Sequence, residues 1–341
     1  MAFHIDIDPE ITGLTFRTYG GEGDHAAIAR VLTTSEAADQ MDRQVSAGDI
    51  RRAFKGLKNC DPTRDLLIAE VDDRMVGYTR GWWEDGESGT RLYAQNGFLV
   101  PEWRRKGIGT ALLRRMEGRL SEIAATHPAT LVKQYQVNVS QHQKGTQAML
   151  ERSGYQPVRH FYTMVRPSLD NIQDFPLPSG LEVRAVEPSH YPAIWKAISE
   201  TSLDEWGHQE PTEEDFQEWI SSDHFQPDLW QIAWDISTNE VAGTVLTYIH
   251  HQENQQFNRL RGYTEGIGVI RRWRRRGVAR ALISRSLKAQ KAAGMTDSAL
   301  VADTDSSSNV VTLYKSCGFE VVKKDTLYRK MLFVQPKNIE E

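Results

Sequence analysis

The chain has 341 residues, 39% of them hydrophobic and 26% charged, which is material for two globular domains of ordinary size. A formal net charge of −5 argues against bulk nucleic-acid binding, and only Cys60 and Cys317 are present, so neither a disulfide framework nor a zinc site is read. No uncharged run approaches the ~20 residues that span a bilayer; residues 1–10 hold three acids and no basic run, so no signal peptide is expected and a cytoplasmic setting follows.

In chain order, alternation predicts a strand over 15–19, followed by a helical region over 25–58. Strands over 65–71 and 75–83 are separated by Asp72 and Asp73, which favour a turn. A strand over 93–100 runs into an Arg/Gly loop. Beyond it Ile108, Leu112, Leu113, Met116, Leu120 and Ile123 recur at helical spacing, so one helix face packs inward. Strands over 134–139 and 158–165, with a short helix between them, complete the pattern. Residues 168–180 carry Pro176 and Pro178 just after Pro167 and read as an extended linker. The order then repeats: a strand over 182–186, a helical region over 193–221, and strands over 229–235, 241–250 and 263–270. A loop, a helix bearing Val278, Leu282, Ile283 and Leu287, and strands over 298–303 and 321–333 follow.

The repetition extends to individual residues. Arg17, Gly77, Gly107 and Gly154 sit in contexts echoed around Arg184, Gly243, Gly277 and Gly318, in the same order and at nearly constant spacing. The chain therefore reads as a duplication, with one domain over 1–167, a linker over 168–180 and a second domain over 181–341. Strands interleaved with helices give an α/β (α+β) fold in each, a twisted mixed sheet flanked by helices.

The strand–loop–helix junctions carry the chemistry. A helix N-terminus presents backbone N–H groups without intrahelical partners and the positive end of the helix dipole. Glycine or alanine there lets a phosphate approach closely. Arg104, Arg105, Lys106, Gly107, Ile108, Gly109 and Thr110 meet this need in the first half. Arg274, Arg275, Arg276, Gly277, Val278, Ala279 and Arg280 do so in the second. Neither loop is a Walker motif, which requires Gly-x-x-x-x-Gly-Lys-Ser/Thr, nor a Gly-x-Gly-x-x-Gly dinucleotide fingerprint. A lone basic turn is often only solvated surface; two at matching places point to a polyphosphate.

Arg-x-x-Gly-x-Gly/Ala between strand and helix resembles the coenzyme A pyrophosphate motif of the GNAT N-acetyltransferase superfamily. The run from Asn309 through Leu313 and Tyr314 to Gly318 and Phe319 is similar to the family's Asn-x-x-(small)-x-Leu-Tyr-x-x-x-Gly-Phe segment. The resemblance covers both halves and implies tandem GNAT-like domains, each with a mostly antiparallel sheet. It also implies a V-shaped opening between the fourth and fifth strands, where acetyl-CoA lies. The implied activity is direct acetyl transfer to a primary amine.

By that resemblance Tyr314 is the acid for the leaving sulfur, Asn309 orients the cofactor, and the Val269 N–H is the oxyanion donor, with Leu99 at the same place in the first half. Glu265 is the best base by strand position, since alternation puts it on one face with Ile267 and Val269. Tyr314 could instead only pack, and Glu265 could be a solvated strand-start glutamate. Counting back from Gly154 gives Leu150 in place of the tyrosine and Gly145 in place of the asparagine, while Gln95 stands for Glu265. The first domain is therefore expected to hold coenzyme A without turning it over, unless Tyr93 or Tyr135 substitutes.

Asp204, Glu205, Glu210, Glu213, Glu214, Asp215, Glu218 and Asp223 accompany Trp206, Trp219 and Trp230, a composition that suits a cationic small-molecule amine. The same residues also suit a solvated helix face over a tryptophan core. His208, His250 and His251 lack metal-ligand spacing. A non-catalytic acyl-CoA sensor and a protein lysine or N-terminal acetyltransferase stay open beside the small-molecule enzyme, as do monomer and homodimer.

Overall fold

The computed structural model describes residues 9–41, 45–86, 89–203, 211–222, 224–304 and 310–333. In chain order the elements are β1 (Leu14–Thr18), α1 (His25–Ala38), α2 (Ala47–Lys55), α3 (Pro62–Asp65), β2 (Leu66–Val71), β3 (Arg74–Asp85) and β4 (Thr90–Leu99). Next come α4 (Ile108–Ala125), β5 (Val132–Ser140), α5 (Lys144–Arg152) and β6 (Gln156–Arg166). The second series is β7 (Leu181–Val183), α6 (Tyr191–Ser202), α7 (Glu213–Ile220), β8 (Gln231–Asp235), β9 (Glu240–Ile249), α8 (His251–Gln256) and β10 (Arg261–Val269). It ends with α9 (Val278–Ala292), β11 (Asp297–Asp303), α10 (Val310–Ser316) and β12 (Glu320–Met331). The fold is α/β, with a mixed sheet and flanking helices in each half. No helix among the described residues is long and apolar enough to cross a membrane.

The chain forms two compact units: Met1–Val158 with Thr326–Glu341, and Arg159–Asp325. These differ from the sequence halves 1–167 and 181–341, because the closing strand of each half is exchanged. In unit 1 the strand order is β1-β2-β3-β4-β5, completed by the end of β12; in unit 2 it is β6-β11-β10-β9-β8-β7. Burial drives the exchange. Tyr328 and Leu332 enter the unit 1 core with Tyr135, Leu150 and Tyr155, and the Tyr328 hydroxyl donates to Glu151 at 3.2 Å. In unit 2, Met164 of β6 joins the core of Leu282, Leu300 and Phe319.

The segment 168–180 also departs from the extended linker expected. It is fastened to unit 2: Leu169 is buried and its N–H donates to the Thr296 carbonyl at 2.9 Å. Asp170 and Asp174 pair with Lys291 and Lys288, and Arg280 lies over the Phe175 ring. Its prolines suit a strap laid on α9 as well as a free spacer, so composition alone did not separate the two.

Within each unit, β4 and β10 pair antiparallel with β3 and β9 on one side and parallel with β5 and β11 on the other. The parallel pairing is brief. It runs from Thr90↔Val132 to Ala94↔Gln136 in unit 1, and from Arg261↔Asp297 to Tyr263↔Ala299 in unit 2. Beyond those pairs the strands part, which is the V-shaped opening expected. Helices α4 and α9 bury the apolar stripes read from sequence, Ile108, Leu112, Met116 and Leu120 in one and Val278, Leu282 and Leu287 in the other.

Truncating Tyr328 to alanine should cost about 3–5 kcal/mol, as for other buried aromatics. The loss should fall on unit 1, although Tyr328 follows Val158 by a whole unit of chain. Hydrogen exchange of the β5 amides checks this; unchanged protection there would refute the exchange.

Candidate active site

Both Arg/Gly loops have one backbone shape. Arg105 and Arg275 adopt φ of 64° and 60°, and Gly107 and Gly277 cap α4 and α9 at φ of 92° and 87°. A non-glycine residue in the left-handed region is uncommon, so the matched pair marks a conformation imposed by the loop rather than by residue preference. A glycine N-cap has no side chain to satisfy the first helical N–H groups, which leaves both helix ends open to an anion.

The basic side chains divide their work. Arg104 donates through Nε to the Leu99 carbonyl at 3.0 Å, and its Nη atoms meet Asp39 at 2.6 and 3.1 Å and Ser35 Oγ at 2.9 Å. Arg274 likewise donates through Nε to the Val269 carbonyl at 3.0 Å. The first arginine of each loop thus braces the strand end. For Arg104 this corrects the expectation of a phosphate ligand, because its guanidinium is committed to a carboxylate buried beside it. Lys106 and Arg276 lie over Trp103 and Trp273 at 4.3 and 5.0 Å. Arg105 and Arg275 are exposed, with no ion pair among the described residues, and so stay available for long-range attraction.

At the strand ends the backbone offers donors. The Ile270 N–H donates to Ala242 O and the Val100 N–H to Val76 O, both toward the antiparallel neighbour. Alternation therefore turns the N–H groups of Val269 and Leu99 toward the opening that β11 and β5 have left. In unit 1 this opening is a cavity of about 590 Å³, walled by Leu99, Arg105, Gly107, Gly109, Thr110 and Gly145. Its size and its open helix end fit a nucleotide-bearing cofactor.

Unit 2 differs from unit 1 by one residue in the fourth strand. The β10–β9 register runs Glu265↔Leu246, then Gly268↔Thr244, so Gly266 and Ile267 together oppose Val245. Gly266 takes φ of 55°, and a Cβ there would lie 2.6 Å from Leu246 Cγ, so the bulge requires glycine. The β4–β3 register is unbroken from Gly77↔Leu99 to Asp85↔Arg91.

The bulge overturns two expectations. Glu265 and Gly268 fall on one face, which meets α6 through Thr201, while Ile267 and Val269 pack against the core that holds Tyr314. Glu265 and Val269 are therefore on opposite faces, because the extra residue shifts the alternation. By register the counterpart of Glu265 is Asn96, opposite Arg80, and not Gln95. Gln95 faces the other way and donates to Tyr155 Oη at 3.2 Å.

Glu265 is half-buried, and desolvation raises its pKa; His224 and a hydrogen bond with Tyr248 act against that rise. His224 stacks on Tyr248 at 4.2 Å, and Tyr248 on Tyr263 at 4.9 Å. The Tyr263 hydroxyl in turn donates to Glu253, which pairs with Arg259. Sequence reading missed Tyr248 and His224; the alternation Leu246, Tyr248 opposite Glu265 and Tyr263 was the available signal. Tyr314 is 7% exposed and stands in the same core as Ile267, Val269, Val278 and Leu313. Asn309 lies outside the described residues.

In unit 1, Leu150 is buried at the tyrosine's place. The two tyrosines that could substitute are engaged elsewhere. Tyr93 Oη meets His127 Nδ1 at 2.7 Å, and Tyr135 Oη donates to the Glu117 carbonyl at 2.9 Å. Burial pushes both phenols up to about 12.

On the acceptor side of unit 2, Trp219 packs with Trp195 at 5.1 Å, Trp230 at 5.2 Å and Phe225 at 5.0 Å, so these aromatics form core. Thr212 caps α7, its hydroxyl accepting from the Asp215 N–H while the Asp215 carboxylate accepts from the Thr212 N–H, and Glu213 and Glu214 are exposed in the first turn. His250 accepts from the Glu253 N–H at the start of α8. Asp204, Glu205, Trp206, His208, Glu210 and Asp223 lie outside the described residues. Among the described residues no group of three or more potential ligands could hold a metal.

Comparison with known proteins places this geometry. Residues 191–319 match the Acetyltransferase (GNAT) family and residues 62–157 the Acetyltransferase (GNAT) domain. The chain is 26% identical to a mycothiol acetyltransferase of Geodermatophilus obscurus over 309 residues, covering 89% of this chain and 94% of that protein. A GCN5-related N-acetyltransferase structure from Sphaerobacter thermophilus superposes with a TM-score of 0.78 at 23% identity, over 97% and 98% of the two chains. A tandem GNAT protein from the clavulanic acid biosynthesis pathway gives a TM-score of 0.66 at 15% identity, over 95% and 100%.

Replacing Arg104 by alanine should lower stability by about 2–3 kcal/mol, since Asp39 is left buried without its partner. Arg105→Ala should leave stability unchanged and weaken coenzyme A binding, with a shallower salt dependence. Thermal denaturation and calorimetric titration of both variants separate the two roles; the reverse pattern would overturn the assignment.

Proposed function

The chain belongs to the GNAT acetyltransferase family and is an acyltransferase that uses acetyl-CoA, and on that premise we propose that unit 2 transfers the acetyl group to a small-molecule primary amine. The observation that carries this reading is the bulge at Gly266. It sets Glu265 on the α6 face, while Val269 and Tyr314 share the face that carries the Arg274–Arg280 loop and α9.

Acetyl-CoA supplies the acetyl thioester. The open end of α9, with the N–H groups of Val278, Ala279 and Arg280, receives the pyrophosphate, and Arg275 draws the polyanion in. Asn309 holds the cofactor's arm. Glu265 removes the acceptor's ammonium proton, through a water where the amine does not reach it. The Val269 N–H donates to the carbonyl oxygen as negative charge develops there. Tyr314, neutral at pH 7, gives its phenolic proton to the departing sulfur. Unit 1 keeps the loop and a cavity but has Leu150 and Asn96 where unit 2 has Tyr314 and Glu265. It holds coenzyme A without turnover.

A small-molecule acceptor is favoured over a protein one by the relatives, named as mycothiol acetyltransferases and similar to this chain over most of its length.

Acetyl-CoA consumption measured across a panel of amines tests the reading. Tyr314→Phe should lower kcat by about 10²-fold or more with little change in coenzyme A affinity. Full turnover in Tyr314→Phe, or its loss on replacing Leu150 or Asn96 alone, would place the chemistry elsewhere.

The pH profile follows from Glu265. Only the carboxylate accepts a proton, so kcat/KM falls as pH drops through its pKa. Because burial raises that pKa, the acid limb should lie above the ordinary carboxylate range. Glu265→Gln should remove the limb and lower kcat; an unchanged limb would show that another group is the base.

A further inference from the structure

We propose that unit 1 carries a second ligand site, for a small organic carboxylate, centred on Arg80 and Trp82. The site is a cavity of about 360 Å³ between β3 and the segment after α2, walled by Leu57, Lys58, Cys60, Arg80, Trp82 and Glu84. It is distinct from the opening between β4 and β5. It lies on the sheet face that in unit 2 bears Glu265, and the register puts Arg80 opposite Asn96 where unit 2 has Leu246 opposite Glu265.

Arg80 is the reason to expect a ligand. Other partly buried arginines of unit 1 have acceptors: Arg17 with Asp24 and Glu70, Arg91 with Asp85, Arg104 with Asp39, Arg119 with Asp65, and Arg30 with the Met75 carbonyl. Arg80 is half-buried and has none among the described residues. Its Nε is buried with no acceptor. A buried donor left without an acceptor is destabilising, so such a group persists where something other than the protein meets it. The guanidinium lies 5.1 Å from the Trp82 ring centroid, which fixes one of its faces and leaves its edge to present a planar fork. A carboxylate matches that fork with two parallel hydrogen bonds.

Size and charge narrow the class. About 360 Å³ sits at the small end of ligand pockets. Glu84 is held in the wall by the Trp82 Nε1–H at 3.4 Å and Gln136 Nε2 at 3.0 Å. With Arg80 and Lys58 the wall carries two cations against this one carboxylate, an excess of one positive charge that a single carboxylate matches and a dianion such as a phosphate exceeds. The Trp82 ring then offers an apolar surface for the body of the acid. Burial pushes the Cys60 thiol up to about 11, so it is a neutral wall group and brings no competing anion. The site does not depend on which unit turns over acetyl-CoA.

The test uses the whole chain labelled with ¹⁵N-tryptophan. The indole resonance of Trp82, one of nine, is identified by its loss in Trp82→Phe. Benzoate should shift that resonance saturably in the millimolar range, while inorganic phosphate at the same concentration should not. Arg80→Met should weaken the benzoate response by about tenfold or more while the other indole resonances keep their positions. If that variant does not fold, Arg80→Lys, which keeps the charge and loses the fork, should weaken it several-fold. Absence of a saturable shift, an equal response to phosphate, or unchanged affinity in the Arg80 variant would overturn the proposal.

Discussion

A parallel strand pair inside an otherwise antiparallel sheet has to end somewhere, and here it ends early on purpose-built ground. After Ala94↔Gln136 and Tyr263↔Ala299 the fourth strand of each unit keeps one neighbour and loses the other. Its backbone N–H and C=O groups on the freed side then need partners. The first loop arginine takes one of those carbonyls in each unit, Leu99 by Arg104 and Val269 by Arg274. That single contact locks the strand end to the loop. The loop can then hold Arg105 and Arg275 in the left-handed region, and Gly107 and Gly277 can aim the helix N-terminus at the space between the strands. The remaining free N–H groups face the same space, so an open helix end and an extended edge are created together.

On this common frame the two units diverge by the insertion of one residue. The extra residue in β10 does more than add a bend. It reverses the face presented by every residue before it relative to those after it, and thereby separates a carboxylate from the strand-end amide it would otherwise sit beside. Glu265 moves to the face of α6, where Tyr248 and His224 meet it, and Val269 stays with the core of Tyr314. The proposed acid and base roles suit such a separation: the group that takes a proton from the entering amine and the group that gives one to the leaving sulfur work from different sides of the reacting carbon. The unbroken ladder of β4 provides no such separation, and the corresponding positions carry an amide and a leucine.

Much of this was legible in the residues. Apolar periodicity located α4 and α9, and the repeated Arg/Gly sequences located the two loops of matching backbone shape, because both depend on local spacing. The strands fell within a few residues of their places for the same reason. The exchange of β6 and β12 was not legible, since either strand has the same pattern of side chains whichever sheet it enters. The faces of Glu265, Ile267 and Val269 were read wrongly because strict alternation was assumed across Gly266. A glycine inside a strand is the standing signal for a bulge, and two of them flank Ile267. Arg104 was read as a ligand because sequence shows its charge and not Asp39, which is brought to it from α1's end by the fold.

The exchange also bears on why a unit with a leucine and an amide in the places of Tyr314 and Glu265 is retained. The first sequence half supplies β6 to the sheet of unit 2, where Met164 is fully buried against Leu300 and Phe319 and Arg166 donates to the Cys317 carbonyl. The second half supplies Tyr328 and Leu332 to the core of unit 1. Neither half of the chain contains all the strands of either unit. Removing the first domain would therefore strip β11 of its neighbour and leave a row of backbone groups unpaired, a change far larger than the loss of a tyrosine or a glutamate. Under that constraint the side chains of unit 1 are free to change while its fold is not. An arginine opposite Asn96, in the place of a leucine opposite a glutamate, is the kind of change such a unit can accumulate.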